Sequence, residues 1–147
     1  LLINDNVKLA QEIKAGGVHL GKNDIDADKA RAILGKDFII GGTANSFDDI
    51  VRLNEWKVDY IGLGPFRLTE TKENLSPTLG KEGYQGILES MKAQNIDIPV
   101  VAIGGILAED VPSLLGLGLH GIAISGGISK AEDVEKAAIE FITLTDQ

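Results

Sequence analysis

The groups best suited to chemistry in this chain sit just after short apolar runs. Asn4-Asp5 follow the first run, and Asp24 lies in "GKND" after the second. Thr43 ends "IIGGT", and the loop after "YIGLGPF" carries Thr69, Glu70, Thr71 and Lys72. Gly104-Gly105 and Ser125-Gly126-Gly127 follow the last two runs. Hydroxyls, a lysine and backbone N–H groups at a helix start all donate to phosphate oxygens. Asp5 and Asp24 could supply oxygen ligands to Mg²⁺, which takes one or two carboxylates beside substrate phosphates. Taken together, the set suits a phosphorylated small molecule bound with a divalent metal.

Each group also has a plainer reading. Gly104-Gly105 could be a tight turn, and Ser125-Gly126-Gly127 a helix entry. Asp5 and Asp24 could each serve a helix N-terminus, and Lys72 could be solvated. His19 in "GVHL" reads as a packed, hydrogen-bonded histidine within a strand, and Trp56 and Tyr60 read as packing residues.

Elements must bring these groups together. Apolar runs over Leu1–Asn4, Gly17–Leu20, Phe38–Gly42, Tyr60–Leu63, Val100–Ile103 and Gly121–Ile124 predict strands covered on both faces. Between them, helix-period segments span Val7–Ala15, Ala27–Leu34, Phe47–Glu55, Tyr84–Ala93, Ala108–Leu115 and Ala131–Leu144. Ser46 before "FDD" supplies a cap and early negative charge. Gly16, Gly35 and Gly116 stand where helices stop. Six strand–helix units in regular alternation mean a parallel α/β fold, whose strand ends share one ligand-binding face. The period suits a (β/α) barrel, which needs eight units, and equally an open doubly wound sheet.

Composition narrows the class. The chain has 147 residues, 44% hydrophobic and 24% charged, which fits one globular domain. It has no cysteine, so disulfides and thiolate metal sites are excluded and a reducing, cytoplasmic setting is expected. A net charge of −8 argues against nucleic acid and anionic membranes as partners. No apolar run approaches the ~20 residues of a membrane helix. The same charge would repel a phosphorylated ligand, so binding must rest on metal, Lys72 and backbone N–H groups. The chain opens on an apolar strand without an initiator methionine, which reads as a chain entered in the middle.

In order and spacing, "LLIND", "GGVHLGKND", "IIGGT", "DYIGLGPFRLTETK", "IPVVAIGGI" and "GIAISGGIS" resemble the thiamine phosphate synthase family. The resemblance implies a TIM (β/α)8 barrel of which only the last six units are present. Residues 1–147 would then be a single phosphate-binding barrel domain lacking its first two units. It implies a transferase that joins a pyrimidine methyl diphosphate to hydroxyethylthiazole phosphate and releases pyrophosphate, with Mg²⁺. By that resemblance Asn4 binds the pyrimidine diphosphate, and Asp5 and Asp24 are metal ligands. Thr43, usually a serine, lies near the pyrimidine. Thr69, Glu70 and Thr71 bind the thiazole phosphate together with Gly105, Ser125 and Gly126. Lys72 holds the departing diphosphate, and Lys72 and Thr43 are the expected catalytic pair.

Five positions depart from the family pattern. Lys22 replaces a common glutamine, Arg67-Leu68 an aromatic-proline pair, Gly126 a hydroxyl residue, and Asn45 a frequent histidine. The related thiazole tautomerase uses a histidine at the Asn45 position and typically lacks TETK, which points away from it. A non-catalytic phosphate-binding remnant is the alternative if the first two units are absent. Six strands cannot close an eight-stranded barrel, so unpaired apolar edges are expected to invite association, including homo-oligomers.

Overall fold

A computed structural model of the chain describes residues 1–68 and 77–146. Strands β1 (Leu2–Asn4), β2 (Gly17–Leu20), β3 (Ile39–Ala44), β4 (Tyr60–Leu63), β5 (Val100–Ile103) and β6 (Gly121–Ala123) form one sheet. The helices are α1 (Val7–Glu12), α2 (Ala27–Leu34), α3 (Phe47–Glu55), α4 (Gly80–Ala93), α5 (Val111–Leu115), α6 (Gly126–Ser129) and α7 (Val134–Thr145). A 3₁₀ turn over Ala108–Asp110 leads into α5.

All neighbouring strands are parallel, and the spatial order is β1-β2-β3-β4-β5-β6. A doubly wound sheet reverses direction at a switch point. This sheet does not, so every crossover advances the same way, as in barrel winding. Of the two arrangements compatible with the alternation, the order selects the singly wound one.

Apolar spacing explains the packing. Helix α2 buries Ala27, Ala30 and Leu34, and α4 buries Tyr84, Ile87 and Met91, each set on one helical face. Helix α3 starts where expected: the Ser46 side chain accepts the Asp49 N–H at 3.2 Å. Val18, Leu20, Ile40, Ile61, Leu63, Val100 and Ala102 carry the core along the four central strands. No helix among the described residues is long and apolar enough to cross a membrane.

Several boundaries differ from the sequence reading. Strand β3 runs through Thr43 to Ala44, so Thr43 is a strand residue rather than a loop residue. Helix α1 ends at Glu12, and the chain turns at Lys14 (φ 52°) before Gly16. Helix α4 begins at Gly80, four residues before Tyr84. Ala108–Leu115 divides into the 3₁₀ turn and α5, with Pro112 in the first turn of α5. Proline has no N–H to donate and is tolerated there.

Candidate active site

Parallel strands without reversal bring all their C-terminal ends to one rim. Asn4 ends β1, and Asp5 follows in the left-handed region (φ 65°) with its N–H on the His19 carbonyl at 2.9 Å. Asp24 lies in the loop after β2, where its Oδ2 accepts the Gly21 N–H at 2.6 Å. Gly105 lies two residues past β5, and Ser125-Gly126 lead into α6. Thr69, Glu70, Thr71 and Lys72 lie outside the described residues.

Inside the sheet, β2, β3 and β4 share a polar chain that joins the hydrogen-bonded His19 to Tyr60, expected only to pack, and to Thr43, expected at the pyrimidine. His19 Nδ1 lies 2.9 Å from the Tyr60 hydroxyl, and Nε2 lies 3.0 Å from Thr43 Oγ1. Burial pushes the Tyr60 hydroxyl above its ordinary value, so it stays protonated. When Tyr60 O–H donates to Nδ1, the neutral ring carries its proton on Nε2 and donates to Thr43. The Thr43 hydroxyl proton is then left for another acceptor. Glycines make room for these rings. A Cβ on Gly41 would come 2.2 Å from the Tyr60 ring, and one on Gly62 would come 2.9 Å from His19. Glycines on strands flanking a histidine were the sequence signal for this cluster.

Next to Thr43, Lys22 donates to Asp49 Oδ2 at 2.8 Å and Arg52 to Oδ1 at 2.5 Å. Asp49 is only 4% exposed. Burial opposes its ionisation, but the Lys22 hydrogen bond, the Asn45 N–H and Ser46 outweigh that and hold its pKa below the ordinary value. The charge that Lys22 adds where glutamine is common is therefore paired with a carboxylate. A cavity of about 90 Å³ opens here, lined by Lys22, Asp24, Thr43, Asp49 and Trp56 among others.

Asp5 and Asp24 both border a neighbouring groove of about 380 Å³. Two carboxylates on one groove fit the protein's share of a Mg²⁺ site completed by phosphate and water. No group of three or more His, Asp or Glu that could form an all-protein cage occurs among the described residues.

On the far side of the rim the candidate groups are backbone. Gly104 and Gly105 have φ 85° and 71°, and a Cβ on Gly105 would come 2.8 Å from the Arg67 Cβ. Only glycine meets both demands without strain. The pair forms the tight turn that its glycines suggest. Ser125 precedes α6 without a side-chain cap hydrogen bond, and both Ser125 and Gly126 are exposed.

The family model described as thiamine monophosphate synthase matches residues 1–128. The thiamine-phosphate synthase of Bacteroides thetaiotaomicron is 57% identical over 133 residues, covering 90% of this chain and 64% of the relative. That of Phocaeicola vulgatus is 56% identical over 132 residues, with the same two coverages. The solved thiamine phosphate pyrophosphorylase from Pyrococcus furiosus is similar with a TM-score of 0.85 at 32% identity, covering 99% of this chain and 66% of that one. The chain thus spans just under two thirds of the length of the curated relatives it matches.

Proposed function

This chain belongs to the thiamine monophosphate synthase family, and we propose that it carries the thiamine phosphate synthase reaction of that family. In this reading the C–O bond between the pyrimidine methylene and its diphosphate breaks, and the electron pair leaves with pyrophosphate. The thiazole nitrogen supplies the pair for the new C–N bond. No nucleophilic side chain is needed. The observation that carries the reading is that Asp5 and Asp24 border one groove on the rim that also bears Thr43.

The residues divide between the two substrates. Asn4, Thr43 and Lys72 take the pyrimidine diphosphate. Thr69, Glu70, Thr71, Gly105, Ser125 and Gly126 take the thiazole phosphate. Lys72 and the Thr43 hydroxyl meet charge that grows on the leaving oxygen, the kind of contact that lowers a barrier most. Mg²⁺ held by Asp5 and Asp24 would neutralise diphosphate charge when bound. The winding order supports a complete (β/α)8 barrel in which residues 1–147 form one phosphate-binding unit. Asn45 supports the synthase over the tautomerase, because its Nδ2 donates to the Gly64 carbonyl and an amide, unlike a histidine, cannot serve as acid or base near neutral pH.

The test is formation of thiamine phosphate and pyrophosphate from the two substrates with Mg²⁺. Thr69→Ala and Thr71→Ala should weaken thiazole phosphate by roughly 1.5–3 kcal/mol each, with less effect on the pyrimidine substrate. Equal weakening of both would sink the assignment. Asp5→Asn and Asp24→Asn should raise the Mg²⁺ concentration needed for activity. Unchanged Mg²⁺ dependence in both would leave them as turn and helix-start residues.

A further inference from the structure

Arg67 stands beside the Gly104-Gly105 turn, and an arginine next to a phosphate contact reads first as an anion holder. Its fork is already engaged. Nη2 donates to Asp110 Oδ1 at 2.7 Å, and Nη1 donates to Asp110 Oδ2 and, at 3.1 Å, to the Gly105 carbonyl. Asp110 is 8% exposed, and its Oδ2 also accepts the Leu107 N–H at 2.8 Å. The Arg67 hydrogen bond holds the Asp110 carboxyl below its ordinary range, so the pair stays ionised, and the exposed Glu109 carboxylate stands 4.0 Å from Arg67 Nη2. The arginine stem lies along the turn, since a Cβ on Gly105 would come 2.8 Å from the Arg67 Cβ. The guanidinium also stacks over Phe66, 5.0 Å from the ring centroid. Backbone bonds complete the join, with the Phe66 and Arg67 N–H groups both on the Gly104 carbonyl at 2.9 and 3.0 Å.

A two-glycine turn is conformationally free by itself. A contact made through its backbone is therefore only as well aimed as the turn is held. The peptide group is planar and trans, so pinning the Gly105 carbonyl toward Arg67 fixes the opposite direction of the Ile106 N–H. We propose that Arg67, locked by Asp110, is a positioning residue that holds the Gly104–Ile106 turn in the form that receives the thiazole substrate's phosphate. This rests on the synthase reading for the ligand. It assigns Arg67 a task that the aromatic-proline pair common at that position cannot perform, since neither side chain offers a charged donor.

The two roles of Arg67 predict opposite behaviour for Asp110→Asn. An anion holder freed from its carboxylate would bind thiazole phosphate more tightly, whereas a positioning residue deprived of its lock would bind it less tightly. We expect Arg67→Ala and Asp110→Asn each to raise KM for hydroxyethylthiazole phosphate roughly five- to tenfold, with KM for the pyrimidine diphosphate unchanged. The double variant should be no worse than either single one, because the two residues act as a unit. Arg67→Lys should fall between, since it keeps the charge but loses the bidentate fork. Amide hydrogen exchange over residues 104–107 of the ligand-free chain should quicken in both single variants, with far-UV circular dichroism unchanged.

Unchanged exchange in both variants overturns the lock, whatever the activity. Quickened exchange with both KM values unchanged overturns the positioning role. Tighter thiazole phosphate binding in Asp110→Asn makes Arg67 a direct ligand and overturns it as well. Absence of thiamine phosphate formation by the full-length protein that carries this chain defeats the synthase reading, and exchange alone then decides the lock.

Discussion

The rim is held by different means on its two sides. Along β2–β4 side chains hold side chains: His19 ties Tyr60 to Thr43, and Asp49 ties Lys22 to Arg52. Along β5–β6 the candidate contacts are glycines and a short helix entry, aimed by backbone bonds and one distant ion pair. Tyr84 of α4 joins the two regions where β4 and β5 end. It is fully buried, its hydroxyl donates to the Leu63 carbonyl, and it accepts the Ile103 N–H at 3.4 Å. A mutation on the first side should therefore act through packing and polar networks, and one on the second through backbone freedom.

The largest test of this contrast uses glycine. Gly41→Ala would put a methyl 2.2 Å from the Tyr60 ring in a buried layer. Overpacking of that kind costs about 1–3 kcal/mol and here should reach the upper end or beyond. Gly121→Ala, with nothing within 4 Å of its Cβ position, should stay within about 0.5 kcal/mol. Urea unfolding of the two variants measures the gap, and equal losses would erase the distinction. Tyr84→Phe comes next. It strands the Leu63 carbonyl in the core, at about 1–3 kcal/mol by the same measurement.

Legibility in the sequence follows the same division. Side-chain chemistry was visible: Asp5, Asp24 and Thr43 stand in the chain as oxygen groups after apolar runs, and the structure brings Asp24 and Thr43 to one cavity. The strand–helix alternation was visible because each strand is a short run of buried types. What escaped depends on pairs far apart in the chain. Lys22 and Asp49 are 27 residues apart and Arg67 and Asp110 are 43 apart, with no local period to link them. The end of β3 escaped because Thr43 and Ala44 lack the apolar bulk that marks Ile39 and Ile40. The start of α4 escaped because Gly80 and Gly83 are poor helix formers whose place is set by packing.

Acid provides a third, smaller comparison, because each side has one carboxylate with a lowered pKa. Burial works against the Asp49 charge and is outweighed by Lys22 and its other donors, while Arg67 dominates at Asp110. A carboxyl lowered on folding contributes stability that is fully present above its unfolded value near 4. That stability is lost as pH falls through the lower, folded value. Asp49→Asn and Asp110→Asn should each be less stable than wild type near neutrality. Each should also lose less stability than wild type between pH 6 and pH 3 in urea titrations. A variant whose slope with pH matches wild type would show that its carboxylate is not part of the acid response.

The smallest expected effect separates the two sides in function rather than stability. Tyr60→Phe removes one hydrogen bond, about 1 kcal/mol, while keeping the ring that packs on His19 at 5.4 Å. Without the Tyr60 proton on Nδ1, the imidazole is free to carry its own proton there and present Nε2 to Thr43 as an acceptor. The Thr43 hydroxyl would then spend its proton on His19 instead of on a ligand. If Thr43 serves the pyrimidine diphosphate, Tyr60→Phe should lower turnover a few-fold, roughly 1 kcal/mol at the barrier. KM for thiazole phosphate should stay fixed, because that contact belongs to the other side of the rim. His19→Gln, which keeps a donor and an acceptor but no ring tautomer, should give a similar loss. A rise in the thiazole phosphate KM in either variant would mean that the two sides of the rim are coupled, with Tyr84 and the β4–β5 junction as the place to look for the link.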